Sequence, residues 1–177
     1  KSMKSLFFVN QGDGNDAYGT YDISCGTNNR LTEYQLKIGS VVYPPTPIRC
    51  NFGDGAAGTT STVRAEAFME LAKAWGSVGS TKGLGQLNWR NWMTVNNTRA
   101  TATDAGTSVV FGPCGIDLEA FQRVAIESGV NTADRSLPIS LILNFGTQPS
   151  GAQTYDVFVL ADALFYLNAD GSMSVSV

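Results

Sequence analysis

The sequence predicts an all-β, antiparallel two-sheet sandwich with one inserted α-helix near residues 63–75, on three observations. Several short stretches alternate apolar and polar residues at period two, most cleanly Met173, Val175 and Val177 against Ser172, Ser174 and Ser176. The chain carries 19 glycines together with abundant Ser, Thr and Asn, enough for many turns between short elements. Only one stretch, between Val63 and Gly76, keeps a long helical period.

Taken in order, Lys4 to Gln11 carries Leu6, Phe7, Phe8 and Val9 and reads as a strand ending in the turn-rich run Gly12 to Thr20. A second strand covers Leu31 to Gly39, with Tyr34, Leu36 and Ile38 facing inward. Val41, Val42 and Tyr43 extend it, and Pro44, Pro45 and Pro47 are expected to end regular pairing and form an extended surface connection. In the helix, Phe68, Leu71, Ala72 and Trp75 fall on one face, Arg64, Glu66, Glu70 and Lys73 turn mostly outward, Ser61 or Thr62 caps the start, and Gly76 follows the end. Ser77 to Gly106 reads as loop with one short strand around Asn88 to Thr94.

Ser108 to Phe111 is a short strand, followed by a turn at Gly112, Pro113 and Gly115 and by an ordered piece marked by Ile116, Leu118, Phe121 and Val124 that begins as a helical turn around Asp117. Ser128 to Asp134 is a loop, and Leu137 to Phe145 alternates as a strand. Tyr155 to Leu167 is apolar on both faces, which describes a strand covered on both sides. Fully extended it would span roughly 43 Å, long for one strand, so a bend or bulge is expected near Ala161 to Ala163. Asn168 to Gly171 then supplies a hairpin turn. The total is about eight strands.

With 177 residues and 43% apolar content the chain reads as one domain with a full core. A formal charge of −3 without any Lys/Arg cluster gives no footprint for direct nucleic-acid binding. No apolar run reaches membrane-spanning length, no signal peptide is evident, and a start at Lys1 suggests a fragment or processed product. Cys25, Cys50 and Cys114 have no metal or redox spacing and read as reduced thiols in a reducing compartment. The absence of histidine excludes histidine-dependent triads within the chain.

Several motifs invite a chemical reading and fail it. Gly53, Gly55 and Gly58 spell GxGxxG, but a proline-broken segment precedes them and Lys73 and Ala74 stand where a ribose-binding acid is needed. Asp13, Asn15, Asp16 and Asp22 offer oxygen ligands without a calcium-loop spacing or its closing glutamate. Asp117 with Glu119, and Glu66 with Glu70, read as surface charge with nothing to place either pair in a cleft. The sequon Asn96 to Thr98 reads as an unmodified loop. Trp75 reads as core, leaving Trp89 and Trp92 as candidate exposed platforms for a glycan or receptor. No catalytic, cofactor-binding or metal-binding residue is assigned, and no enzymatic activity is expected.

What remains is assembly, for which a rigid sandwich with few charges and many small polar side chains is suited. Six blocks bear on this: KSLFFVNQ at Lys4, YQLKIGSVVYPPTPI at Tyr34, AEAFMELAKAWG at Ala65, FGPCGIDLEAF at Phe111, SGVNT at Ser128, and the closing TYDVFVLADALFYLNADGSMSVSV at Thr154. Their order and spacing resemble the C-terminal jelly roll of the double jelly-roll major capsid proteins of large eukaryotic DNA viruses, virophages and Polinton-like elements. The resemblance implies a jelly-roll sandwich that forms homotrimeric, pseudo-hexagonal capsomers and tiles an icosahedral shell. Its implied partners are copies of itself, an N-terminal jelly roll of the same protein and minor capsid proteins, and its implied place is the virion, assembled inside the host cell. Only one jelly roll is present in this chain. The alternative is a jelly-roll module that recognises a glycan or receptor.

Overall fold

The computed structural model describes residues 2–12, 26–27, 31–50, 61–76, 92, 110–111, 113–119, 129–132, 136–146 and 154–176. Strand β1 (Ser2–Gly12) organises the first sheet. Along one side it pairs antiparallel with β9 (Thr154–Ala161), with Leu6 opposite Val159 and Phe7 opposite Phe158. Along the other side it meets β6 (Cys114–Asp117) and, at Ser2 and Met3, the short β7 (Val130–Asn131). Because opposed residues share a face, Leu6, Phe8, Ile116 and Cys114 form one apolar face. The second sheet runs β4 (Val41–Arg49), β3 (Leu31–Ile38), β8 (Ile139–Phe145).

The two sheets meet through β3. Tyr34 and Leu36 are fully buried, and the Tyr34 ring stands edge-on to Phe8 at 5.1 Å, the arrangement favoured by ring quadrupoles. The Tyr34 hydroxyl donates to the carbonyl oxygen of Gly115 at 3.2 Å, so the ring enters the core with its polar end satisfied. The architecture is therefore an all-β antiparallel sandwich with one described helix, α1 (Ser61–Ala74). Two two-stranded pairs complete the described elements: β2 (Gly26–Thr27) with β5 (Val110–Phe111), and β10 (Leu164–Leu167) with β11 (Met173–Ser176). Eleven strands are described, and the eight other than β2, β5 and β7 are four residues or longer, in line with the expected count.

The strand at Lys4, the inward face of Tyr34, Leu36 and Ile38, the β8 strand, the break after Ala161 and the Asp170–Gly171 turn all stand as expected. Gly171 holds φ +83°, which the turn requires. The helix begins at Ser61, two residues before Val63, so Ser61 and Thr62 lie within it, and Gly76 follows it with φ +67°. Of the expected face Phe68, Leu71, Ala72 and Trp75, Leu71 and Ala72 are buried and Phe68 packs partly buried against the core, while Trp75 is exposed and Ala67 and Ala74 join the buried side. Gly115 permits the close contact: a Cβ there would sit 3.0 Å from Ala74 Cβ and 3.1 Å from Leu71 Cα.

Other expectations need correction. Gly115 lies in strand β6, not in a turn, and Asp117 ends that strand, where its Oδ1 accepts from the Glu119 N–H instead of opening a helix. Val130 and Asn131, expected in a loop, bridge to β1. Pairing does not stop at the prolines: the β3–β4 ladder skips Pro44 to Pro47 and resumes at Ile48 opposite Tyr34. Gln35 Nε2 donates to the Pro44 oxygen at 2.9 Å and the Pro45 oxygen at 3.4 Å, satisfying carbonyls that the ladder leaves. Trp92 has helical backbone where a strand was expected. Glu70 ion-pairs with Lys73 along α1.

Candidate functional site

The largest departure concerns β9. Alternation on both faces predicted a covered strand, yet Val157, Phe158, Val159 and Leu160 are each about half exposed or more. Among the described residues β9 pairs with β1 alone. Apolarity on both faces tells that a strand is to be covered without telling by what. Here nothing described within the chain covers it.

The outer face of β9 forms one wall of a groove. Phe158 and Leu160 come from β9, Phe7 and Val9 from β1, and Ala74 and Trp75 from the end of α1, with Pro113 closing one side around about 480 Å³. The wall is built by register, since Phe7 opposes Phe158 and Ser5 opposes Leu160 on one face of the sheet. Ser5 Oγ donates to the Ala74 carbonyl at 2.8 Å, tying the last turn of α1 to the sheet. Trp75 then stands edge-on to Phe7 at 5.2 Å. Among the described residues, no charged side chain lines the groove.

The two described tryptophans reverse their expected roles. Trp75 is 56% exposed, whereas Trp92 is 0% exposed, packed on Phe68 at 5.4 Å with its Nε1 donating to the Pro113 carbonyl at 3.0 Å. Helical spacing placed Trp75 inside, and its N–H does donate to the Leu71 carbonyl at 2.9 Å, but its ring lies at the open edge of the helix–sheet contact against Phe7. Trp92 is thus unavailable as a glycan platform, and Trp89 lies outside the described residues.

Beyond Ala161 the chain is pinned. Asp162 N–H donates to the Ser2 carbonyl at 3.0 Å, and Lys4 Nζ reaches Asp162 Oδ1 at 3.1 Å and Glu119 Oε1 at 3.3 Å. These partners, the hydrogen bond to Asp162 first, hold the Lys4 ammonium above its ordinary pKa. Glu119, expected as surface charge, is instead 10% exposed and part of this clamp. A sequence reading misses it because the three residues are joined only by the fold.

The β10–β11 hairpin departs from that clamp. Phe165 opposes Val175 and Leu167 opposes Met173, so four apolar side chains share one face, and Leu167 is 80% exposed. Its strands pack mainly on each other. Within the turn, Ser172 N–H and Oγ both donate to Asp170 Oδ1, at 2.8 and 2.6 Å, which holds that carboxyl below its ordinary pKa.

Cys50 and Cys114 are free and buried; burial pushes the Cys114 thiol up to about 12, the opposite of a nucleophile. Burial likewise pushes Tyr155 up to about 12, with a smaller contribution from Cys114. Among the described residues no cluster of three or more Cys, Asp or Glu side chains could hold a metal, and no helix is long and apolar enough to cross a membrane. Gly53, Gly55, Gly58, Asp13, Asn15, Asp16, Asp22, Asn96 and Cys25 lie outside the described residues. Comparison of the chain with protein-family models, with curated proteins and with solved structures finds no match.

Proposed function

We propose that the chain is a structural virion protein, the jelly roll of a major capsid protein that trimerises into pseudo-hexagonal capsomers and tiles an icosahedral shell. The observation that carries this reading is the apolar tract from β9 to β11, exposed on both faces of β9 and on one face of the hairpin. Its half-exposed Val, Leu, Phe and Met side chains together leave on the order of several hundred Å² of apolar surface in water, the scale at which a patch marks an interaction site. A sandwich that presents such a tract and no catalytic cluster among its described residues suits a building block. The ordered sequence blocks are what point to a capsid as the assembly.

In this reading the partners are further copies of the chain, an N-terminal jelly roll of the same protein and minor capsid proteins. The free, buried thiols of Cys50 and Cys114 suit assembly in the reducing interior of a host cell before incorporation in the virion.

Electron microscopy of the chain, expressed alone and together with a jelly roll encoded upstream in the same frame, tests the reading. Trimeric capsomers or hexagonally packed arrays are expected. A chain that stays monomeric at high concentration with that half supplied would overturn it.

A further inference from the structure

We propose that the β10–β11 hairpin is an exchange arm whose apolar face docks in the α1–β9 groove of a second copy of this chain. The inference rests on the assembly reading only in taking another copy as the partner. Three observations support it.

First, the arm needs a surface. A two-stranded hairpin is marginal alone in water. This one packs mainly on itself, yet it places Phe165, Leu167, Met173 and Val175 on a single face.

Second, the arm does not occupy its own groove. Only Asp162 and Ala163 separate β9 from β10, and Asp162 is fixed through its N–H to Ser2 and through its carboxylate to Lys4. No side chain of the arm is among the described residues that line the groove, so the arm does not fill the groove of its own molecule. A second molecule carries the same groove without that fixed connection.

Third, the surfaces agree in character and in size. The arm face and the groove are both apolar and uncharged, so docking strands no ion. Burial at about 25 cal/mol per Å² and 1.5–3 kcal/mol per side chain corresponds to roughly 60–120 Å² each. Four arm side chains and the groove residues they cover then remove several hundred Å² per contact. Two copies that exchange arms reach on the order of 1,000 Å², the lower bound for a specific interface.

Sedimentation of the wild-type chain, an arm variant (Phe165→Ser with Leu167→Ser) and a groove variant (Trp75→Ser with Phe158→Ser) tests the proposal, with circular dichroism melts to verify folding. The wild type is expected to self-associate, and each variant to do so roughly a hundredfold more weakly. An equimolar mixture of the two variants is expected to regain part of the association, because the intact arm of one meets the intact groove of the other. Unchanged association of the groove variant, or a mixture no stronger than its components, overturns arm exchange while leaving assembly through another face standing. A wild-type chain that remains monomeric also overturns arm exchange, whereas the assembly reading falls only if the chain stays monomeric with the N-terminal half supplied. If Trp75→Ser impairs folding, Phe158→Ser alone serves as the groove variant.

Discussion

The hydroxyl of Tyr34 donates to the backbone oxygen of Gly115 at 3.2 Å, joining the central strand of one sheet to a strand of the other inside the core. Tyr34→Phe keeps the ring against Phe8 and removes only this bond. It is expected to lower unfolding free energy by about 1 kcal/mol, against about 3–5 kcal/mol for Tyr34→Ala, which also empties the space. Urea titration measures both; equal losses would mean that the ring contributes nothing beyond its hydroxyl.

Gly115 also faces the helix. A methyl group there meets Ala74 and Leu71 at 3.0–3.1 Å, one of them through backbone, so α1 must shift. Gly115→Ala is expected to destabilise by about 1–3 kcal/mol and to disturb Trp75 fluorescence through the end of α1. A neutral effect on stability would show that helix and sheet are less tightly apposed than the geometry indicates.

Alkaline pH is expected to weaken the fold. Cys114, Tyr155 and Lys4 all have pKa values raised in the folded chain, so the unfolded chain loses these protons first. Their contribution is complete below the ordinary values and is lost as pH rises; for Cys114 the window runs from 9.0 to about 12. Within it a buried thiol costs up to about 1.4 kcal/mol of stability per pH unit. Denaturation at pH 8, 9.5 and 11 should show the fall begin near pH 9 and be delayed in Cys114→Ala; identical profiles would rule out the thiol as its source.

The same burial predicts chemical silence. In a Cys25→Ser chain at pH 8, Cys50 and Cys114 are expected to resist alkylation until denaturant is added. Rapid labelling of the native protein, followed by mass spectrometry, would contradict it.

Trp92→Ala is expected to cost about 3–5 kcal/mol, since it opens the core and removes the bond to Pro113. Trp75→Ala, at a half-exposed site, is expected to cost about 1 kcal/mol. Chemical denaturation of the two variants gives the comparison, and a larger loss for Trp75 would reverse it.

Strict alternation made β3 legible, because Tyr34, Leu36 and Ile38 repeat the side-chain period of a half-buried strand. The break after Ala161 was legible from length alone. The helix face was read half correctly: spacing placed Leu71 and Ala72 inside, but it could not show that Ala74 and Leu71 approach the sheet at Gly115 while Trp75 stays exposed. Of the candidate site, the apolar character of β9 and the hairpin was visible, but not their exposure. Period two separates one face from the other; it does not say which neighbour is present. The Lys4, Glu119 and Asp162 clamp joins residues more than a hundred positions apart and left no local mark.

The proline-rich rim of the second sheet has a consequence for high concentration. Pro44, Pro45 and Pro47 have no N–H to offer, and Gln35 already occupies the carbonyl oxygens of Pro44 and Pro45. An incoming foreign strand finds few free partners along this stretch, so β4 is a poor seed for the edge-to-edge growth that leads to fibrils. Crowding of the chain in solution is therefore expected to bring contacts through other faces before strand addition on this side.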